Sequence, residues 1–126
     1  MREAPSGRGS TWARFRRRLR SRRVRVVDES MVPTLRPGDR LLVDLGAYRG
    51  RLPSPGEVVV APDPQGRVRW LVKRVTAVNP TAGTIELAGD TGGPSRDSRS
   101  FGPVPIGSVL GRAYRLYAPL DRQREL

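Results

Sequence analysis

From Val24 onward the apolar residues of this chain come in short runs broken by glycine and proline, of which there are 14 and 12 among 126 residues. Punctuation this dense leaves no room for long amphipathic helices. It is the pattern of short strands joined by turns. Strands are expected near Val24 to Val27, Arg40 to Asp44, Glu57 to Ala61, Val68 to Val78, Thr84 to Leu87 and Ser108 to Leu116. The turns fall at Arg36-Pro37-Gly38-Asp39, Pro53-Ser54-Pro55-Gly56, Asp63-Pro64-Gln65-Gly66 and Asn79-Pro80-Thr81-Ala82-Gly83. Each contains residues that supply a fixed or positive φ at low steric cost. The length suits a single core of ordinary size. Three parts are expected: a basic arm over residues 1–23, partly disordered, a β-domain over 24–117 and a C-terminal tail over 118–126.

The available chemistry is narrow. With no cysteine and no histidine, disulfides, thiolate zinc sites, a cysteine nucleophile and a Ser-His-Asp arrangement are all excluded. Carboxylates, hydroxyls, lysine, arginine and the backbone remain. Of 24 cationic side chains only Lys73 is a lysine. Arginine keeps its proton under any protein condition, whereas a buried lysine can lose it and become a base.

The net charge of +12 is unevenly placed. Residues 1–25 hold ten arginines against one acid, Glu3, and the rest of the chain is close to balance. A basic arm ahead of a nearly neutral body argues against a uniformly basic nucleic-acid binder. Within the arm, Trp12, Phe15 and Leu19 would form a narrow apolar stripe on a helix. Such a stripe in a basic field suits peripheral contact of residues 12–25 with an anionic membrane, or an acidic partner. A solvated basic tail would carry the same residues. No segment has the roughly 18 to 20 apolar residues that cross a bilayer, and no apolar leader precedes the domain. The expected compartment is the cytoplasm, with the protein peripheral to the inner face of the membrane.

Two residues stand out for chemistry. Ser30, in Glu29-Ser30-Met31-Val32-Pro33-Thr34-Leu35, follows an expected strand in a segment stiffened by prolines. There its backbone N–H could face the carbonyl oxygen of a group that Oγ attacks. A plain turn with an exposed serine would read the same way. Lys73 lies in a strand-forming run where Leu71, Lys73 and Val75 share a face, opposite Trp70, Val72 and Arg74. Burial among those neighbours would disfavour its charged form and bring it toward the range of a general base, whereas on a solvated edge it would be a surface charge. Residues 89–103 form a long polar loop, a common site of function.

Taken together these segments resemble the boxes of the signal peptidase I family of Ser-Lys endopeptidases. Ser30-Met31-Val32-Pro33-Thr34-Leu35 resembles the nucleophile box, and Pro37-Gly38-Asp39-Arg40-Leu41-Leu42-Val43 the strand after it. Pro55-Gly56-Glu57-Val58-Val59-Val60 with Val72-Lys73-Arg74-Val75 resembles the base box. Gly89-Asp90, Ser95-Arg96-Asp97-Ser98-Arg99 and Gly102-Pro103-Val104-Pro105 resemble the closing box. The order is kept across about residues 24–115.

The resemblance implies a mainly β fold, a small antiparallel sheet or pseudo-barrel of the signal peptidase I and self-cleaving repressor type. It implies Ser30 as nucleophile, Lys73 as base, Ser95 orienting the lysine amine, and Asp97 and Arg99 as a supporting ion pair. Asp28, Met31 and Pro33 would lie beside the site, contributing to substrate binding or to structure. Neither metal nor organic cofactor is expected. Two departures are specific. Asp28 occupies a position that usually holds glycine or serine, and an ionised carboxylate cannot donate to an oxyanion. Thr91 stands where asparagine usually follows Gly-Asp.

The implied activity is removal of a short N-terminal leader from a precursor protein. Likeness is greatest to the nickel-type superoxide dismutase maturation proteases, with nickel-type superoxide dismutase the expected substrate. The alternatives are a general leader peptidase at the membrane surface and a non-catalytic basic binding module.

Overall fold

The computed structural model describes residues 11–91 and 102–126. Its body is an antiparallel sheet of eight strands, preceded by one helix, α1 (Thr11–Leu19). The strands are β1 (Ser21–Arg25), β2 (Arg40–Asp44), β3 (Val58–Pro62), β4 (Trp70–Asn79), β5 (Thr84–Ala88), β6 (Val104–Pro105), β7 (Gly111–Ala118) and β8 (Arg124–Glu125). They pair in the order β1-β2-β7-β3-β4-β5-β6, with β8 added to β7. The mainly β class expected from the punctuated pattern is the one observed.

Alternation along β3 explains why the sheet buries apolar residues on both faces. Val58 and Val60 pack with Met31, Leu35, Leu41, Val43, Val72 and Leu116, while Val59 and Ala61 pack with Val75, Ile85, Leu87 and Val104. Both sets are apolar because neither face of β3 is left to water. In the register of β3 and β4, Val59 stands opposite Lys73 and Ala61 opposite Leu71. Lys73 therefore lies on the same face as Leu71, as the period of two requires.

The expected turns form. Gly38 adopts a φ of 94°, accessible to glycine without strain, and donates its N–H to the carbonyl of Val26 at 2.7 Å. That bond, with Val26 N–H to the Asp39 carbonyl at 2.9 Å, closes residues 27–37 into a loop at one end of β1 and β2.

Two short strands lacked a signal in the sequence. In β6 and β8 only two residues pair, too few for an alternation to show. Between Ser21 and Arg23 the arm is already paired with β2. At the other end, Leu126 packs on the core and donates its N–H to the Tyr114 carbonyl.

Candidate active site

Ser30 sits in the loop between β1 and β2, and the loop is fixed from below. Met31 and Leu35 have no exposed surface. Leu35 N–H reaches the Met31 carbonyl at 2.9 Å, giving one helical turn that drives both side chains into the core. Truncating a residue so buried costs about 2–5 kcal/mol, so the loop conformation is strongly coupled to folding. Pro33, joined to Val32 by a cis peptide bond, is exposed. Met31 is thus part of the core.

The base of the loop is clamped by Asp39, which is 3% exposed. Its carboxylate accepts the Arg36 N–H at 2.8 Å and two bonds from Arg122 at 3.1 and 2.8 Å. Burial alone would raise this carboxyl. The Arg122 and Arg36 donors outweigh it and hold the group below the usual carboxylate range.

Its upper side is held by the end of β5. Gly89 passes so close that a Cβ there would overlap the Ser30 carbonyl oxygen and stand 3.1 Å from the Ser30 Cβ. Only a residue without a side chain fits. Thr91 donates its N–H to the Ser30 carbonyl at 3.1 Å, and its hydroxyl reaches the carbonyl oxygens of Glu29 at 2.6 Å and Val32 at 3.2 Å. The threonine that departs from the family pattern is therefore what fastens the serine loop to the sheet.

Asp90 completes the attachment. It accepts the Thr34 hydroxyl at 2.6 Å and a bidentate pair from Arg74 at 2.8 and 2.7 Å. Arg74 also donates to the Gly56 carbonyl at 2.7 Å. The Arg74 guanidinium is the main reason the Asp90 carboxyl lies below its ordinary range; burial opposes this and the Thr34 hydroxyl reinforces it. One ion pair joins the loop, β4 and the end of β5.

Lys73 is the residue before Arg74 and is 1% exposed. Arg74 pairs with Ala88 across β4 and β5. Gly89, the glycine that lies against Ser30, is the residue after Ala88. Ser30 is itself 8% exposed, so both side chains are largely withdrawn from water. Alternation along β4 sends Lys73 and Arg74 to opposite faces, so one serves the interior and the other the loop attachment.

Asp28 lies beside the serine. Its Oδ1 accepts the Ser30 N–H at 3.1 Å and the Ser30 Oγ–H at 2.9 Å. Ser95, Asp97 and Arg99 fall outside the described residues. Sequence reasoning did not find Gly89, Thr34 or Arg74 as parts of the site. The signal available was their place within the boxes, but their contacts span up to 60 residues of chain.

The described part of the chain is thus an antiparallel β-body that buries one serine and one lysine, with Gly89 packed against the serine. The chain belongs to the peptidase S26 signal peptidase family: residues 13–82 match the family described as "Signal peptidase, peptidase S26". It is 35% identical over 104 residues to the mitochondrial ATP-independent inner membrane protease subunit 1b of Arabidopsis thaliana, covering 66% of this chain and 62% of that protein. To the mitochondrial inner membrane protease subunit 1 of Schizosaccharomyces pombe it is 36% identical over 101 residues, covering 66% and 64%. To subunit 2 of the same protease in Mus musculus it is 30% identical over 122 residues, covering 81% and 70%. The chain thus spans less than two thirds of the length of the first two relatives.

Proposed function

We propose that this protein is a serine endopeptidase in which Ser30 attacks a peptide carbonyl and Lys73 acts as general base. The observation that carries the reading is the near-complete burial of Lys73, the chain's single lysine, in the strand that also supplies Arg74 to the attachment of the serine loop. Removal from water disfavours the ammonium form, which is what a lysine base requires. In the proposed reaction Lys73 takes the Oγ proton as the C–O bond forms, then returns it to the leaving amine. The acyl-enzyme is hydrolysed by a water that the same lysine deprotonates. Ser30 N–H is the proposed oxyanion donor. Because Asp28 holds that N–H at rest, substrate must displace the carboxylate to use it.

The proposed substrate is a precursor with an N-terminal leader, consistent with the family. Within that class we propose the leader of a nickel-type superoxide dismutase. The reading is supported by the compact body, in which residues 80–83 alone connect β4 to β5. A general leader peptidase at a membrane surface is the second reading, favoured by the names of the relatives, which are inner membrane proteases. The proposed place of action is the cytoplasm, with the protein peripheral to the inner face of the membrane.

Intact-mass analysis of a leader-bearing nickel superoxide dismutase precursor tests the reading. Wild-type protein should cut one bond, and Ser30→Ala and Lys73→Arg none. Cleavage that survives in Lys73→Arg would remove the lysine from the mechanism.

A further inference from the structure

Helix α1 is mounted on the body in the opposite sense to an ordinary amphipathic helix. Its apolar residues Trp12, Phe15 and Leu19 are 69, 53 and 73% exposed, and the helix buries none of its residues. The side that meets the body is formed by Ala13, Arg17 and Arg20, the only partly covered residues of this segment. Arg17 stacks its guanidinium 4.0 Å from the centre of the Tyr114 ring. Arg20 makes a bidentate pair with Asp44 at 2.6 and 3.1 Å. Ser21 Oγ bonds both the Arg17 carbonyl and the Tyr114 hydroxyl. These contacts fix the helix's rotation about its axis and turn the apolar stripe outward.

The composition of that outward face selects its partner. At about 100° per residue, Arg16 and Arg18 lie roughly 80° to either side of the stripe. That is where a guanidinium can reach phosphate while the aromatic rings enter the acyl boundary. Trp12 and Phe15 pack edge to face with centroids 6.1 Å apart, a compact wedge with an amphipathic ring at its tip. Arg16 and Arg18 flank the stripe and the helix holds no acid, so a second copy of the same face would be repelled.

We infer that α1 is an interfacial anchor that seats the protein on an anionic bilayer through Trp12, Phe15 and Leu19. The inference stands on the mounting of the helix and is independent of the catalytic reading. The serine loop follows the far end of β1, five residues on, or about 17 Å along the strand. The helix and the serine loop are therefore separate stations on a rigid body.

Flotation of the full chain with phosphatidylglycerol–phosphatidylcholine vesicles tests it, with pure phosphatidylcholine vesicles as control. Binding to the anionic vesicles should exceed the control at least about tenfold and fall steeply with added salt. The triple variant Trp12→Ala/Phe15→Ala/Leu19→Ala should lose it with no change in melting temperature. Arg16→Gln/Arg18→Gln, which leaves the wedge intact, should weaken it. Equal binding to both vesicle types, binding retained by the triple variant, or none at low salt would overturn the inference. So would a dimer in vesicle-free solution that the triple variant dissociates, which would assign the stripe to a second copy.

Discussion

Asp28 Oδ1 accepts hydrogen bonds from both the backbone N–H and the Oγ–H of Ser30, at 3.1 and 2.9 Å. A carboxylate in this place occupies the N–H proposed as the oxyanion donor. It also engages the serine proton, which the proposed base must take. Hydrogen bonds to a charged acceptor contribute about 1.5–3 kcal/mol, less where the group is partly solvated as Asp28 is.

Releasing that hold should therefore accelerate the reaction. Asp28→Ser, which exchanges an acceptor for a potential donor, is expected to raise kcat roughly 3- to 10-fold with little change in KM. Steady-state kinetics on a leader peptide would read this directly. A large fall in kcat would instead make Asp28 a group that orients the serine for attack.

Gly89→Ala should separate catalysis from folding. The new methyl would meet the Ser30 carbonyl and Cβ, pushing the serine from its place by a fraction of an ångström or more. Displacements of about 1 Å cost on the order of 100-fold in rate. Activity should fall by that order while the thermal midpoint drops modestly. Full activity in this variant would show that the loop can shift without moving the reacting atoms.

Lys73→Met keeps the shape and removes the amine. Replacing a buried ionisable side chain by an apolar one of similar volume is often neutral or stabilising. The variant should melt at or above the wild-type temperature and be inactive, a combination that a purely structural lysine would not produce. A strongly destabilised Lys73→Met would argue that the amine's principal role is to hold the fold.

The Arg74–Asp90 pair gives a signed dependence on pH. Asp90 is held low first by Arg74, against burial, with help from Thr34. A carboxyl lowered on folding contributes its full stability above the unfolded pKa of about 3.9. The contribution declines as pH falls from there through the lower folded value. Wild type should exceed Asp90→Asn by about 1 kcal/mol at about pH 7, discounting for the partial exposure of the pair. Denaturation curves should converge once the pH has fallen below the lowered folded value. A gap that stays constant into acid would mean that the asparagine perturbs packing and not charge.

The class of the fold was legible because turn chemistry is local. Gly38, Gly56, Gly66 and Gly83 sit at positive φ in the four turns that proline and glycine had marked. The β2 strand occupies the expected Arg40 to Asp44, since its apolar run is bounded by a turn. Strand β1 begins at Ser21 and not near Val24. Its arginines carry no apolar alternation, and pairing with β2 decides its limits.

By itself the sequence determined which side chains could do chemistry, since a chain with one lysine and neither histidine nor cysteine offers few ways to activate Ser30. It also determined that Leu71, Lys73 and Val75 share a face, because a strand repeats every two residues. Only the tertiary structure decided that this face is buried, for burial depends on what the other elements bring to it. The approach of Gly89 to Ser30, the turning of Asp28 onto the serine and the outward setting of Trp12, Phe15 and Leu19 were likewise decided in three dimensions. Gly89, Asp90 and Thr91 lie some 60 residues from the loop they hold, and spacing along a chain carries no record of which distant segments meet. The mounting of α1 went against the local rule, since stacking on Tyr114 and pairing with Asp44 fixed its arginine side to the body.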